Sequence, residues 1–498
     1  MMKKIPVLDL MFFLTEKKNN AKHVSALMLF ELPQNAPQRF IAELVAAYRR
    51  AKPVPPFNYV PQFPLIGMPR WVKAEKLDMK YHVQHVALPQ GASRDAFLEF
   101  VAELHTHVLD RHHPCFRVYF IEGLPERSFA VFLKVHHAMV DGQSAIARIG
   151  ASLDERPDAG KVRPFFTIGS AGTRKRATQE RRNALAALKS IAIKQTLALK
   201  DLYASLLRKG IGRGAGGPGS LPFTAPRGPT NAPMEAARTI ATLSLPIEEM
   251  KAVGKAFGGT LNDVAVTIVD AALNRYLQGL GTPPSKPLVA MCPLSLREAG
   301  DTEAATKVSA LFVPLGKRNA AIGRRMQQVM AAIGSAKNEL RGMSKDAAML
   351  YAILAFGLSE AAGATRADAV TRPLANFVLS NVPGPRTDLY LRGAKMLGIY
   401  PISALGGGMG LNATLLSYSN SMDFGFVANG ASMPDLDDLA RYTRDAFEEL
   451  RKEAAKRAVV PGLGASATAS KKPLQRVRGS STALSRRRIY ERPRARTH

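Results

Sequence analysis

The sequence predicts two α/β (α+β) domains with mixed sheets, and three observations carry that prediction. The 498 residues are 46% hydrophobic and 22% charged, the composition of a chain that folds around a sizeable core. Short apolar strands alternate with amphipathic helices in two long stretches, without the strict strand-helix-strand rhythm of a doubly wound sheet. Between them lies a segment rich in glycine, proline and basic residues. The expected organisation is an N-terminal domain over 1–158, a linker with one helix over 159–235, a C-terminal domain over 236–457 and a disordered tail over 458–498.

The elements follow from apolar periodicity. In the first stretch, strands are expected at His23 to Leu32, Phe116 to Ile121 and Phe129 to Val135, and helices at Gln38 to Arg50 and Ser93 to Leu109. In the linker, Leu185, Leu188, Ala192, Leu199, Leu202 and Leu206 recur at spacings of three, four and seven, while Lys189, Lys194, Lys200 and Arg208 fall elsewhere around the same helix. That helix is amphipathic and basic, and Gly210 to Gly219 ends it. In the second stretch, helices are expected at Pro246 to Phe257, Leu261 to Gln278, Ala320 to Leu340 and Asp435 to Lys456. Strands are expected there at Leu288 to Cys292, Val308 to Leu315, Phe377 to Ser380, Asn412 to Tyr418 and Met422 to Val427.

The chain carries 69 basic and 40 acidic residues, net +29, which in general points to nucleic acid or an anionic surface. The charge is concentrated outside the two domains: 13 basic against 2 acidic residues over 161–213, and 10 against 1 over 461–498. The folded remainder therefore needs no polyanion, and the tail's arginines lack the interleaved aromatics of a nucleic-acid binder, so no nucleic-acid partner is expected. Cys115 and Cys292 are too few for a disulfide framework and sit in apolar stretches, which suits a reducing compartment. Asp9 interrupts the apolar start, and no small-residue cleavage site follows it. The longest apolar run, Ala347 to Leu358, is 12 residues, short of the roughly 20 that cross a bilayer. The expectation is a cytoplasmic protein, soluble or resting on a membrane.

The sharpest local signal is His136-His137-Ala138-Met139-Val140-Asp141-Gly142, directly after the apolar strand ending at Val135. It places an imidazole, a carboxylate and a flexible backbone point in one turn at the end of a rigid platform. Histidine, with an unperturbed pKa of about 6.5, can take a proton from a hydroxyl near neutral pH. The bland reading of the same residues is two hydrogen-bonded core histidines followed by an ordinary Asp-Gly turn.

The ordered seven-residue pattern resembles the HHxxxDG signature of the CoA-dependent acyltransferase superfamily, which includes chloramphenicol acetyltransferase-like enzymes and peptide-synthetase condensation domains. Further segments resemble the bacterial wax ester synthase/diacylglycerol acyltransferase family in particular, from about Pro6 to Leu450. Leu109-Asp110-Arg111 and Pro114-Cys115-Phe116 stand where that family has LDR and PLW, with Cys and Phe replacing Leu and Trp. Asn262-Asp263 matches its ND motif, and Pro293-Leu294-Ser295-Leu296-Arg297 its PVSLR segment. Ser380-Asn381-Val382-Pro383-Gly384-Pro385 matches SNVPGP; Gly410-Leu411-Asn412 and Ser417-Tyr418 are similar to its GLN and SY segments.

The resemblance implies two chloramphenicol-acetyltransferase-like domains with the active site in the cleft or tunnel between them. It implies transfer of a long-chain acyl group from acyl-CoA to a fatty alcohol or diacylglycerol, with His137 as general base and no acyl-enzyme. His136 would support or line the site, and Asp141, beside Gly142, would hold the loop through an ion pair, for which Arg297 is one candidate partner. Asn262 could supply an oxyanion donor; the alternative for Asn262-Asp263 is a helix cap. Ser380 and Asn381 are expected to line the cleft from a turn. No cofactor beyond the acyl-CoA co-substrate and no metal is implied: His105, His107, His112 and His113 lack a zinc-site arrangement. The expected partners are acyl-CoA, the lipid acceptor and, peripherally, an anionic membrane or lipid inclusion reached through the basic helix. The linker glycines Gly210 to Gly214 do not suit a phosphate-binding loop, and Gly142-Gln143-Ser144 lacks the second glycine of a nucleophile elbow. Two rival functions remain open at the level of sequence: a related enzyme with another acceptor or a carrier-bound donor, and a non-catalytic lipid-surface protein with this fold. Oligomeric state, acceptor preference and acyl length are silent.

Overall fold

A computed structural model describes residues 3–158, 160–169, 224–295, 308–344, 372–459 and parts of 347–360. The linker helix expected over 185–208, Arg297 and the tail beyond 460 lie outside the described residues.

Two six-stranded mixed sheets and one small sheet organise the chain. The first sheet contains β2 (His23–Glu31), β5 (Val83–Ala87), β6 (Phe116–Glu122) and β7 (Ser128–His136). They run in the order β2-β7-β6-β5; β5 and β6 are parallel and the other pairs antiparallel. β7 is buried along almost its whole length, which explains its unbroken apolar run. Alternation sorts its side chains. Val131, Leu133 and Val135, with Met28, Phe30, Val118 and Phe120, meet Phe40, Leu44, Val45 and Tyr48 of helix α2 (Phe40–Arg50). Ala130 and Phe132, with Leu27, Tyr119 and Ile121, face Phe97, Leu98, Val101 and Ala102 of α4 (Arg94–Thr106). Ser93 caps α4 by accepting a hydrogen bond from the Ala96 amide.

The same stretch of chain also holds β1 (Lys3–Lys4) and α1 (Val7–Thr15) ahead of β2, and β3 (Tyr59–Gln62), β4 (Arg70–Lys73) and the single-turn α3 (Met79–His82) after α2. Strands β1, β4 and β3 form the small antiparallel sheet. β7 leads directly into α5 (Gly142–Ser152).

The second sheet runs β10-β9-β11-β14-β15-β8, with β8 (Arg238–Pro246), β9 (Val289–Ser295), β10 (Val308–Pro314), β11 (Phe377–Val382), β14 (Leu411–Tyr418) and β15 (Ser421–Asn429). Its β9-β11 and β11-β14 pairs are parallel and the rest antiparallel. Helices α6 (Ile247–Ala256), α7 (Leu261–Gly279), α8 (Ile322–Arg341) and α9 (Leu436–Val459) share one core with it. Within that core Arg325 of α8 pairs with the buried Asp270 of α7 at 2.6 Å, and the Gly316 amide also donates to Asp270. Among the described residues no single helix is long and apolar enough to cross a membrane.

The two sheets are joined by a strand exchange that the apolar pattern does not announce. β12 (Tyr390–Leu391) and β13 (Ala394–Ile402) follow β11 in the chain but add to the first sheet, β13 pairing antiparallel with β2. Arg392 and Gly393 turn the hairpin with φ of 51° and 85°, as a left-handed two-residue turn requires. β13 then crosses β15 closely: the Ile399 amide donates to Asp423 at 2.9 Å, and a Cβ on Gly425 would lie 1.8 Å from the Pro401 carbonyl oxygen. Burial raises the Asp423 carboxyl pKa, against hydrogen bonds from Ile399, Ser244 and Ser421. Residues 1–458 form one compact unit.

Candidate active site

β7 carries the two histidines to the rim of its sheet, and backbone hydrogen bonds pin both. The His136 amide donates to Cys115 O and the His137 amide to Lys22 O, each at 2.9 Å. His136 is fully buried and His137 keeps a partly exposed edge. Helix α1 covers the pair: Phe13 stacks on His136 and Phe12 on His137, both with ring centroids 4.1 Å apart.

His136 is tied into a charged cluster. Its Nδ1 accepts from the Ala138 amide at 3.2 Å, so the proton sits on Nε2, which faces Glu16 Oε1 at 3.5 Å. That separation is within ion-pair reach but long for a hydrogen bond. Glu16, itself buried at its carboxylate, accepts from the Lys22 amide at 3.0 Å and from Arg111 at 3.1 Å. Burial works against the Glu16 charge, yet the neighbouring His136, the Lys22 amide and Arg111 together outweigh it and hold its carboxyl below the usual range. Arg111 also donates to Phe13 O at 2.7 Å and stacks over the Phe13 ring. Lys22 meanwhile pairs with the buried Glu360 at 2.8 Å, fastening the start of β2 to the segment ahead of the Gly407 turn.

His137 has a different environment. Burial pushes its pKa down to about 4, and the Lys22 charge adds to this against the nearby Asp141 carboxylate. At pH 7 the ring is neutral and equipped to take a proton.

Asp141 is the N-cap of α5, its Oδ1 accepting from the Ser144 amide at 2.8 Å and its Oδ2 from the Ser144 hydroxyl at 3.1 Å. Gly142 opens the helix, and among the described residues nothing lies within 4 Å of where its Cβ would stand, so the positive end of α5 has room at its start. Farther along α5, Gly150 lies against Pro385, with 3.6 Å between its Cβ position and Pro385 Cγ. The Pro383-Gly384-Pro385 turn is anchored by Gly384 N to Ser417 Oγ (3.1 Å) and Ser419 N to Pro385 O (3.0 Å). A Cβ on Gly384 would lie 2.3 Å from Ser417 O, which explains the glycine. Helix α5, which follows the histidine turn, therefore rests on the turn that follows Ser380 and Asn381.

The remaining expected residues fall as follows. Ser380 is partly exposed and Asn381 exposed, both near the end of β11 opposite Thr414 and Leu415 of β14. At the start of α7 the cap is Thr260, and Asp263 completes a capping box, accepting from the Thr260 amide and hydroxyl at 2.8 Å each. Asn262 is partly exposed, one residue before Asp263 on the same helix. Among the described residues no hydrogen bond joins Asn262 to the histidine turn. The histidines weighed as metal ligands are dispersed: His105 is buried against His23 and Ser25, His113 stacks on Tyr81, and among the described residues no three His, Cys, Asp or Glu side chains form a metal-sized group. Sequence reasoning missed Phe12, Phe13, Glu16, Lys22 and Glu360; the one available signal was Arg111 in the LDR segment, whose charge needed a buried partner.

Comparison with known proteins bears on the chain's identity. A family model described as the wax ester synthase/diacylglycerol acyltransferase catalytic domain matches residues 6–265, and that of the family's C-terminal domain matches 305–451. The solved wax ester synthase/diacylglycerol acyltransferase of Marinobacter aquaeolei superposes with a TM-score of 0.72 at 30% identity, over 91% of this chain and all of that one. O-acyltransferase WSD of Acinetobacter baylyi is 30% identical over 90% of this chain and 96% of its own. A Mycobacterium tuberculosis protein named a probable diacylglycerol O-acyltransferase is 34% identical over 91% and 97%. The first condensation domain of the calcium-dependent antibiotic synthetase shares the fold, with a TM-score of 0.54 at 15% identity. Fold and relatives together define an acyltransferase of the two-domain, condensation-domain-like class. The chain belongs to the wax ester synthase/diacylglycerol acyltransferase family.

Proposed function

We propose that this enzyme transfers a long-chain acyl group from acyl-CoA to the hydroxyl of a fatty alcohol or a diacylglycerol, giving a wax ester or a triacylglycerol. The observation that carries the reading is His137: a ring that burial keeps neutral, and so with one unprotonated nitrogen, and with a partly exposed edge at a strand end. The free nitrogen takes the hydroxyl proton as the alcohol oxygen attacks the thioester carbonyl. The tetrahedral intermediate collapses, the carbon–sulfur bond breaks, and the imidazolium returns its proton to the departing CoA thiolate. A thiol pKa near 8.5 makes that group leave readily, so neither an acyl-enzyme nor a metal is required. Acyl-CoA is the co-substrate, and no further cofactor takes part.

His136, fixed by Glu16 and Phe13, holds the strand end and the position of its neighbour. Asp141 keeps the turn in place by capping α5, whose positive end supports the developing oxyanion. Asn262, Ser380 and Asn381, which the described contacts leave with exposed polar groups, are assigned to substrate binding together with Arg297; Asp263 acts through the helix cap. The enzyme works peripherally on the cytoplasmic face of a membrane or on lipid inclusions, where its acceptors reside.

The test follows thiol release from palmitoyl-CoA with hexadecanol or dioleoylglycerol as acceptor. His137→Ala is expected to lower kcat by about 10²- to 10⁴-fold, the usual contribution of a general base, with an unchanged melting temperature. Equal turnover by the variant would remove His137 from the mechanism. A wild-type protein that binds lipid but releases no thiol would leave the non-catalytic reading standing.

A further inference from the structure

The loop joining β3 to β4 holds apolar side chains in water. Leu65 and Ile66, at its tip, are essentially fully exposed, and Met68 is 56% exposed; Leu14, on the neighbouring α1, is 69% exposed. Burial of large apolar side chains is the rule, and a cluster of this kind marks an interaction surface. Phe63, at the start of the loop, is also exposed; among the described residues the other exposed large hydrophobics, Val108, Leu354 and Leu397, are scattered singly along the chain.

The surroundings of the tip specify the partner. Every charged residue of the three-stranded sheet that carries the loop is basic: Lys3, Lys4, Arg70 and Lys73. Lys4 stands directly opposite Arg70 in the register, a like-charge pairing that costs stability unless anions neutralise it. Exposed Lys17 and Lys18 follow Leu14. An apolar tip collared by cations matches a phospholipid interface with anionic headgroups: the tip enters the acyl boundary and the collar meets the phosphates.

The same loop touches the reaction centre. The Phe63 ring meets Phe13 edge-on at 5.5 Å, Arg111 lies over both rings, and Phe13 stacks on His136. The loop's far end is held by the Ile5 amide, which donates to Pro69 O at 3.1 Å. We infer that the β3–β4 loop, with Leu65 and Ile66 at its tip and Lys4, Arg70 and Lys73 as its collar, is the element that inserts into a lipid surface and brings the mouth of the active site to its membrane-dissolved acceptor. The inference rests on the acyl-transfer reading only for that last clause.

The test compares wild type with the double variant Leu65→Ser, Ile66→Ser in flotation with phosphatidylcholine vesicles containing 30% phosphatidylglycerol. These side chains touch no core residue, so the variant folds. Its partition coefficient is expected to fall at least tenfold, and that of wild type to fall with added salt. Acyl transfer to dioleoylglycerol in the same vesicles should fall in step, while transfer to dissolved hexanol stays within twofold. Flotation of the variant within twofold of wild type overturns the inference. So does unchanged flotation with loss of a dimer in gel filtration, which would assign the tip to a second copy of the chain. A wild type inactive on every acceptor would defeat the acyl-transfer reading, and flotation would still decide the lipid contact.

Discussion

Two neighbouring imidazoles, one residue apart, differ because different groups reach them. His136 is enclosed with Glu16 and Phe13, whereas at His137 burial outweighs the Asp141 charge, and its pKa falls to about 4. The unfolded chain would bind a proton there near 6.5, and the free enzyme only near 4, so the base form is complete at neutral pH. The acid limb of kcat/KM is therefore expected near pH 4 to 5; a limb at 6.5 would show a solvated imidazole. For stability the sign is the same: His137 and His82, also lowered to about 4, bind more protons unfolded, so their contribution is intact above 6.5 and is lost as pH falls toward 4. The turn from His136 to Gly142 is legible in sequence because strand, base and cap are consecutive. Glu16, Phe12 and Phe13 are not, because only the docking of α1 makes them part of the site; the sequence shows there an apolar run with an acid after it.

Helix starts separate structural from chemical roles among the expected residues. The sequence left Asn262-Asp263 open between cap and substrate contact; the structure gives the cap to Thr260 and Asp263 and leaves Asn262 outside it. Thr260→Ala should lower stability by about 1 kcal/mol, the usual cost of a lost N-cap, and leave kcat/KM nearly unchanged. Asn262→Ala should do the reverse, lowering kcat/KM with no shift in the unfolding midpoint. Urea unfolding and thiol-release kinetics on both variants measure this, and a stability loss in Asn262→Ala alone would place it in the fold instead. Most strands and long helices were readable from periodicity alone. Strand β13 was not: Lys395, Gly398 and Pro401 break its alternation, and its partner, β2, lies far back in the chain.

The crossing of β13 and β15 joins the two sheets into one body, and its closeness is set by a missing side chain. Gly425→Ala would drive a methyl group into the Pro401 backbone, which cannot rotate away. The expected cost is at least about 1–3 kcal/mol, from overpacking a dense interface, read as a lower melting temperature with acyl transfer failing in parallel. An unaltered melting temperature would mean the sheets part without penalty.

Because β2 waits for a neighbour that is translated some 370 residues later, the first half leaves the ribosome with one flank of its sheet bare. The nascent protein must keep that flank from sticking to other chains until Ala394–Ile402 emerges and closes it. Synthesis, more than the finished molecule, is then the stage at which this protein is most exposed to aggregation, and slowing elongation between the halves should lengthen its dependence on chaperones.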